Sequence, residues 1–309
     1  RLCLGTCRCP VRSDFGPDNL ANVSEGGPKM NYRTQQKIKR ICWVIGLCAL
    51  AIPFVFPFLW MLSGALKGQA DVFASSSLIP AKIHWSNFAE IFEYQPFARQ
   101  YFNSLYIAVV VTCLTLFISS LAGYALARLR FGGSALVLLL LISALMMPEE
   151  VTIIPNFFLM KELGLMNTHM PLILLPLFGS QGVMATFLMR QFFLALPKEL
   201  EEAGRMDGLS RFGVYFKIAL PLSKPALSAV GIITFLFSWN LFLEPLVFVN
   251  DIELFTLPLA LANFTDSYGL PLWHLQLAAT ALAVIPMLIV YVLAQRQIVE
   301  SFAMSGVKG

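Results

Sequence analysis

Apolar residues run along the chain in six blocks, at roughly 41–64, 104–127, 134–160, 170–193, 226–249 and 275–297, separated by short polar segments. A run of about 18 or more apolar residues is the length that crosses a bilayer as helix. The pattern therefore predicts an all-α membrane protein of six transmembrane helices, with one domain over 30–309. The third block is interrupted by Pro148, Glu149, Glu150 and Pro155, so its span should end near Met147 and a bent, partly exposed segment should follow. In the second block Ser119, Gly123 and Ala127 recur every fourth position. Small residues at that spacing let helix backbones approach closely, which fits ordinary packing within one bundle better than a dedicated subunit seam.

Composition agrees with the pattern. Of 309 residues 57% are hydrophobic and 13% charged, with a mean hydropathy of +0.71, about half the charge of a soluble domain. The net charge of +4 is too small and too dispersed for a nucleic-acid partner. Lys and Arg set the orientation, because they are retained on the cytoplasmic side. With the amino terminus inside, inner segments hold Arg33, Lys37, Lys39, Arg40, Arg128, Arg130, Arg190, Lys198, Arg205, Arg211, Lys217, Lys224, Arg296 and Lys308. Outer segments hold only Lys67, Lys82, Arg99 and Lys161. Both termini are expected in the cytoplasm, the chain being multi-pass in its membrane. Residues 1–29 are rich in Gly, Pro, Ser, Asn and Asp and read as a disordered, vector-derived or mis-started leader before Met30. Cys3, Cys7 and Cys9 there lack the further ligand of a metal site. Cys42, Cys48 and Cys113 sit in apolar blocks as small buried hydrophobes.

Between the fourth and fifth blocks, 191–225 is too polar to cross and reads as two short helices. Pro197 suits a first helical turn, Glu199, Glu201 and Glu202 favour the positive end of the helix dipole, and Gly208 after Asp207 is a helix stop. Ser210 can cap a second helix to about Ala219, ended by Pro221 and Pro225. The first helix aligns Leu200, Ala203, Gly204 and Asp207 on one face, and Glu201 can pair with Arg205 four residues on. Physics alone leaves both a docking helix and a solvated connecting loop open.

Glu202-Ala203-Gly204, three residues, Gly208, nine residues, then Ile218-x-Leu220-Pro221 resembles the EAA loop of ATP-binding-cassette importer permeases, with Gly204 where the pattern has a second Ala. The resemblance runs from about Pro53 to Gly309 and is similar to the smaller permease of maltose-type systems. It includes Asn103-Ser104-Leu105, Gly123 to Arg128, Leu163 to Thr168, Leu200 to Gly208, Ser238-Trp239-Asn240 and the terminal Gly306 to Gly309. The stretch Glu300 to Ser305 departs from the usual tail. The resemblance implies half of a translocation pathway for a sugar or oligosaccharide. It implies as partners a second permease, a cytoplasmic ATPase dimer and an extracytoplasmic substrate-binding protein. Glu202 would be the charged contact to the ATPase and Ala203, Gly204 and Gly208 the close-packing positions, with Asp207, Ile218, Leu220 and Pro221 completing the coupling loop and the tail a second contact. ATP and Mg would reside on the partner ATPase, and this chain would carry no cofactor, metal or catalytic residue. Consistent with that, it has no Gly-x-x-x-x-Gly-Lys-Ser/Thr loop to cradle nucleotide phosphates.

Glu244, about five residues from the outer end of the fifth block, is a candidate pathway or gate residue with Asn240 and Trp239, because an ionisable group at that depth is a functional hypothesis. A structural carboxylate reaching outer water or a partner subunit is the other reading, and the one the sequence favours. Glu149 and Glu150 read as carboxylates of a bent outer loop rather than a proton-coupling pair. The competing function is a secondary, ion-coupled transporter acting without an ATPase, but that needs charges deep in several spans. A membrane enzyme needs converging catalytic groups, and His84, His169 and His274 are scattered over outer segments.

Overall fold

The computed structural model describes residues 32–74 and 77–306, with side chains from 40 to 295. The leader with Cys3, Cys7, Cys9 and Met30, and the last three residues of the terminal Gly306–Gly309 stretch, lie outside the described residues. The chain divides into two units at Phe54 and Val55. The first contains the start of α1 (Tyr32–Ala65), whose described side chains between Arg40 and Phe54 are all exposed. The remaining helices all belong to the second unit.

Its elements are α2 (Asp71–Ala74), α3 (Ser86–Tyr94), α4 (Phe97–Arg128), α5 (Ser134–Leu145), α6 (Glu149–Glu162), α7 (Met170–Phe178), α8 (Ser180–Ala195), α9 (Lys198–Met206), α10 (Arg211–Val214), a π turn (Tyr215–Ala219), α11 (Leu220–Leu222), α12 (Lys224–Trp239), α13 (Leu243–Phe248), α14 (Leu257–Ala262) and α15 (Trp273–Gly306). Three stretches are single helices long and apolar enough to cross a membrane: Arg40–Ala65, Phe97–Arg128 and Trp273–Gln295. Three more are bent pairs: α5 with α6 at 104°, α7 with α8 at 40°, and Arg211–Leu222 with α12 at 74°.

The third block breaks where Pro148 disfavours helix in the residue before it, so α5 ends at Leu145 and the chain turns away. Twelve residues rise about 18 Å, short of a bilayer core of about 30 Å. The fifth block departs further from the continuous span expected at 226–249. Helix α12 stops at Trp239, Asn240 to Phe242 are not helical, and a short α13 follows. Pro245 has no N–H to give a helix running through Asn240 and Leu241, and the Asn240 side chain instead donates to the Leu236 carbonyl at 2.7 Å.

Helix α4 is the centre, packing mainly on α8 and α12. Three clusters of buried apolar side chains adjoin it, around Phe97 and Trp239, around Ile107 and Phe248, and around Tyr124 and Met189. At Gly123 a Cβ would lie 2.8 Å from Met189 Cβ and 2.9 Å from the Arg190 nitrogen, so the small-residue stripe serves packing on α8. Gly123→Val should therefore lower stability by about 1–3 kcal/mol, the range for overpacking, read as a drop in detergent melting temperature. An unchanged value would show that the α4–α8 contact is loose. Cys42, Cys48 and Cys113 are exposed rather than buried, because they lie on outward helix faces among exposed apolar side chains such as Trp43 and Phe117.

The end of α4 away from α9 clamps the loop after α13. Asn103 donates to the Glu253 and Phe255 carbonyls at 2.8 and 3.1 Å, and Ser104 accepts from the Leu257 amide at 2.6 Å. Asn167, left-handed at φ 55°, accepts from the Asn250 and Asp251 amides, both at 3.0 Å. Two of the stretches that carry the resemblance thus fix one loop.

Candidate functional site

The polar loop folds as two helices. Pro197 is the residue flanking α9, with ψ 131°, rather than part of its first turn. Glu199 and Glu201 lie in that turn and Arg205 in the last, charges that suit the dipole. Helix α9 ends at Met206, the chain turns through Gly208, whose φ of +84° suits glycine, and the Leu209 amide donates back to the Gly204 carbonyl at 3.0 Å. Ser210 caps the next helix, accepting from the Gly213 amide at 3.1 Å. That helix continues past Ala219 to Leu222 with Pro221 inside its last turn. The π turn before it allows this: the Leu220 amide reaches back five residues to Tyr215, so the missing Pro221 N–H falls where the ladder has already shifted.

Glu202, Ala203, Asp207, Gly208 and Pro221 are exposed, Ile218 and Leu220 half-buried, and Gly204 buried. A Cβ at Gly204 would meet Ile218 Cδ1, with Leu209 and Val214 just beyond. The close approach at Gly204 is therefore made to this chain's own second helix, and it links the two ends of the motif. Since the clash is with the tip of a flexible side chain, an Ala there needs only a small shift of Ile218. Of the face Leu200, Ala203, Gly204 and Asp207, only Gly204 turns inward.

Glu201 does not pair with Arg205. Its side chain turns inward, and a buried carboxylate requires a partner. Arg128, at the end of α4, supplies it with Nε 2.9 Å from Oε1, both side chains nearly sequestered at 5% and 11% exposure. Tyr124 donates to the other oxygen at 3.4 Å, and Arg128 also donates to the Leu196 carbonyl at the end of α8 at 2.5 Å. One guanidinium thus joins α4, α8 and α9. Sequence spacing offered only the i,i+4 partner, and the long-range one was legible only as a basic residue ending the second block.

A second place gathers polar groups. A cavity of about 400 Å³ is lined by Glu149, Thr152, Asn156, Ser180, Phe237 and Glu244, with apolar residues around them. The Ser180 hydroxyl donates to the Glu149 carboxylate, and Glu244 is 9% exposed. Its predicted companions lie elsewhere. Trp239 is in the core, stacked on Phe235 and edge-on to Tyr101, and Asn240 is exposed at the end of α12. Glu149, read from sequence as a loop carboxylate, joins Glu244 instead, because the bend between α5 and α6 brings it back against α8. Among the described residues no group of His, Cys, Asp and Glu has the arrangement to hold a metal.

Comparison with known proteins agrees with this geometry. Residues 115–303 match the family described as "Binding-protein-dependent transport system inner membrane component". An arabinooligosaccharides transport system permease protein of Halalkalibacterium halodurans is 36% identical over 86% of this chain and 95% of its own length. A trehalose/maltose transport system permease protein of Thermococcus litoralis is 31% identical, over 89% and 99% respectively. The crystal structure of a bacterial ABC transporter involved in import of the acidic polysaccharide alginate shares the fold, with a TM-score of 0.72 at 21% identity, covering 87% of this chain and 99% of that one. The chain belongs to the binding-protein-dependent transport system inner membrane component family, as a permease of the ABC type rather than an enzyme.

Proposed function

We propose that this chain forms half of the pathway of a sugar or oligosaccharide importer and that a separate ATPase drives it by docking on α9. The observation that carries the reading is the division of α9 into two edges. Glu201 and Gly204 tie it inward to α4 and to the second helix, while Glu202, Ala203 and Asp207 face out. Met206 and Phe212, 88% and 72% exposed, flank that outward edge. Exposed large apolar groups beside a carboxylate that, among the described residues, has no ion pair suit a protein partner. A helix held from behind in this way can pass a partner's displacement to the spans. The excess of Lys and Arg at this end orients it to the cytoplasm, with both termini inside, and ATP and Mg belong to the partner.

The sugar class follows the two curated relatives, whose names specify arabinooligosaccharides and trehalose or maltose. A second permease and an extracytoplasmic binding protein complete the assembly. The test is purification of the tagged chain from its native membrane in mild detergent, with mass identification of what accompanies it and ATP-dependent uptake after reconstitution. An ATPase and a second six-span protein should co-purify. Recovery of the chain alone, active in liposomes without ATP, would overturn the proposal in favour of a secondary transporter.

A further inference from the structure

Three helix breaks meet at one cavity. The α5–α6 bend contributes Met147 and Glu149, the α7–α8 break Gly179 and Ser180, and the segment after the α12 break Glu244. Non-helical backbone at membrane depth persists only where it is buried in protein or lines a water-filled space, and discontinuous helices are a recurrent way to build a solute site. At about 400 Å³ the cavity falls within the ligand-pocket range of about 300–1,000 Å³. Its polar lining consists of two carboxylates, two hydroxyls and an amide, and among the described residues no Lys, Arg or His lines it. Glu244 is more than nine-tenths buried, and among the described residues no basic group pairs with it. Burying an ion is costly unless something hydrogen-bonds it, and the backbone N–H of Glu244 supplies one donor to its own carboxylate, which leaves acceptor capacity on the cavity side for further donors.

Resting on the permease reading above, we propose that this cavity is a subsite for a neutral, hydroxyl-rich sugar unit. Glu149 and Glu244 accept hydrogen bonds from its hydroxyls, Asn156 donates to a ring or hydroxyl oxygen, and Phe237 packs on its C–H face. The same two carboxylates repel anionic solutes, so the site selects by charge as well as by shape. Charge-assisted hydrogen bonds are the strong ones, so a sugar hydroxyl that displaces water from either carboxylate keeps a strong bond there.

The test uses the assembled transporter in membranes, in a background with every cysteine replaced by serine or alanine, carrying Asn156→Cys as reporter. A cationic methanethiosulfonate should modify it about tenfold faster than an anionic one of the same size. Glu244→Gln should reduce that ratio toward one, and Ser180→Cys, as a second reporter, should give the same order. Maltotriose or arabinotriose at high concentration should slow modification, while sn-glycerol 3-phosphate should not. Failure of both reporters to react would overturn the proposal by showing a dry cavity. Faster reaction with the anionic reagent, protection by the phosphate ester, or protection by glucosamine without the neutral sugars would overturn it too. Co-purification of the ATPase in the same membranes separates these outcomes from failure of the permease reading.

Discussion

Glu202→Lys is expected to abolish solute uptake and to strip the ATPase from the detergent-solubilised complex while the chain itself inserts and folds at wild-type levels. Glu202 is exposed, and among the described residues it has no ion pair or hydrogen bond to lose. Lys is as good a helix former as Glu, and surface substitutions of this kind usually change stability by less than about 0.5 kcal/mol. What changes is the sign of the charge on the edge that α9 presents. Truncating one member of an interfacial charge pair costs about 2–5 kcal/mol, and opposing like charges adds to that, which amounts to a loss of affinity of roughly thirtyfold or more. The measurement is the ratio of ATPase to chain after affinity purification, beside uptake and the yield of folded protein. Wild-type uptake would remove Glu202 from coupling, whereas a fall in folded yield would show that the carboxylate supports this chain instead.

Contrast between Glu201 and Glu202 shows where sequence reading ends. The two are adjacent, identical in type and on one short helix, and helical periodicity alone puts them 100° apart without saying which faces in. The structure decides it through Arg128, seventy-three positions earlier, and through Gly204, whose bare backbone admits Ile218. The helix limits were legible because their causes are local: Gly208 in a left-handed turn and Ser210 as a cap. The third block was legible as bent for the same reason, since Pro148 acts on its immediate neighbour. The fifth was read as continuous because Asn240 and Pro245 are few among many apolar residues, and hydropathy averages over them. That reading put Trp239 at a supposed gate, whereas the structure buries it in the core. It also separated Glu244 from Glu149, which share a cavity only once two helices have bent toward each other. Patterns of hydrophobicity report which segments avoid water, but the meeting of three broken helices is a tertiary fact with no local signature.

Arg128→Met and Glu201→Met should each be far more damaging than the two together. Removing one partner leaves a charge in a site where both side chains are nearly sequestered, and breaking a buried pair costs about 3–5 kcal/mol. Replacing both with apolar groups of similar volume removes the desolvation penalty along with the attraction, and such exchanges are often neutral or stabilising. The double variant should therefore regain most of the melting temperature lost by either single, giving a coupling energy of at least about 2 kcal/mol in the cycle. Function should not return with stability. The guanidinium also holds the Leu196 carbonyl, and with it α8, to the same point as α9. Without that tie the docking helix can yield to the ATPase without carrying α4 and α8. The double variant is thus expected to retain the ATPase on purification yet to transport poorly, the reverse of Glu202→Lys, in which the partner is lost and the frame remains intact. Wild-type uptake by the double variant would mean that the Gly204–Ile218 contact alone transmits the motion. Additive losses of stability would mean that the ion pair is not desolvated in the membrane-bound protein.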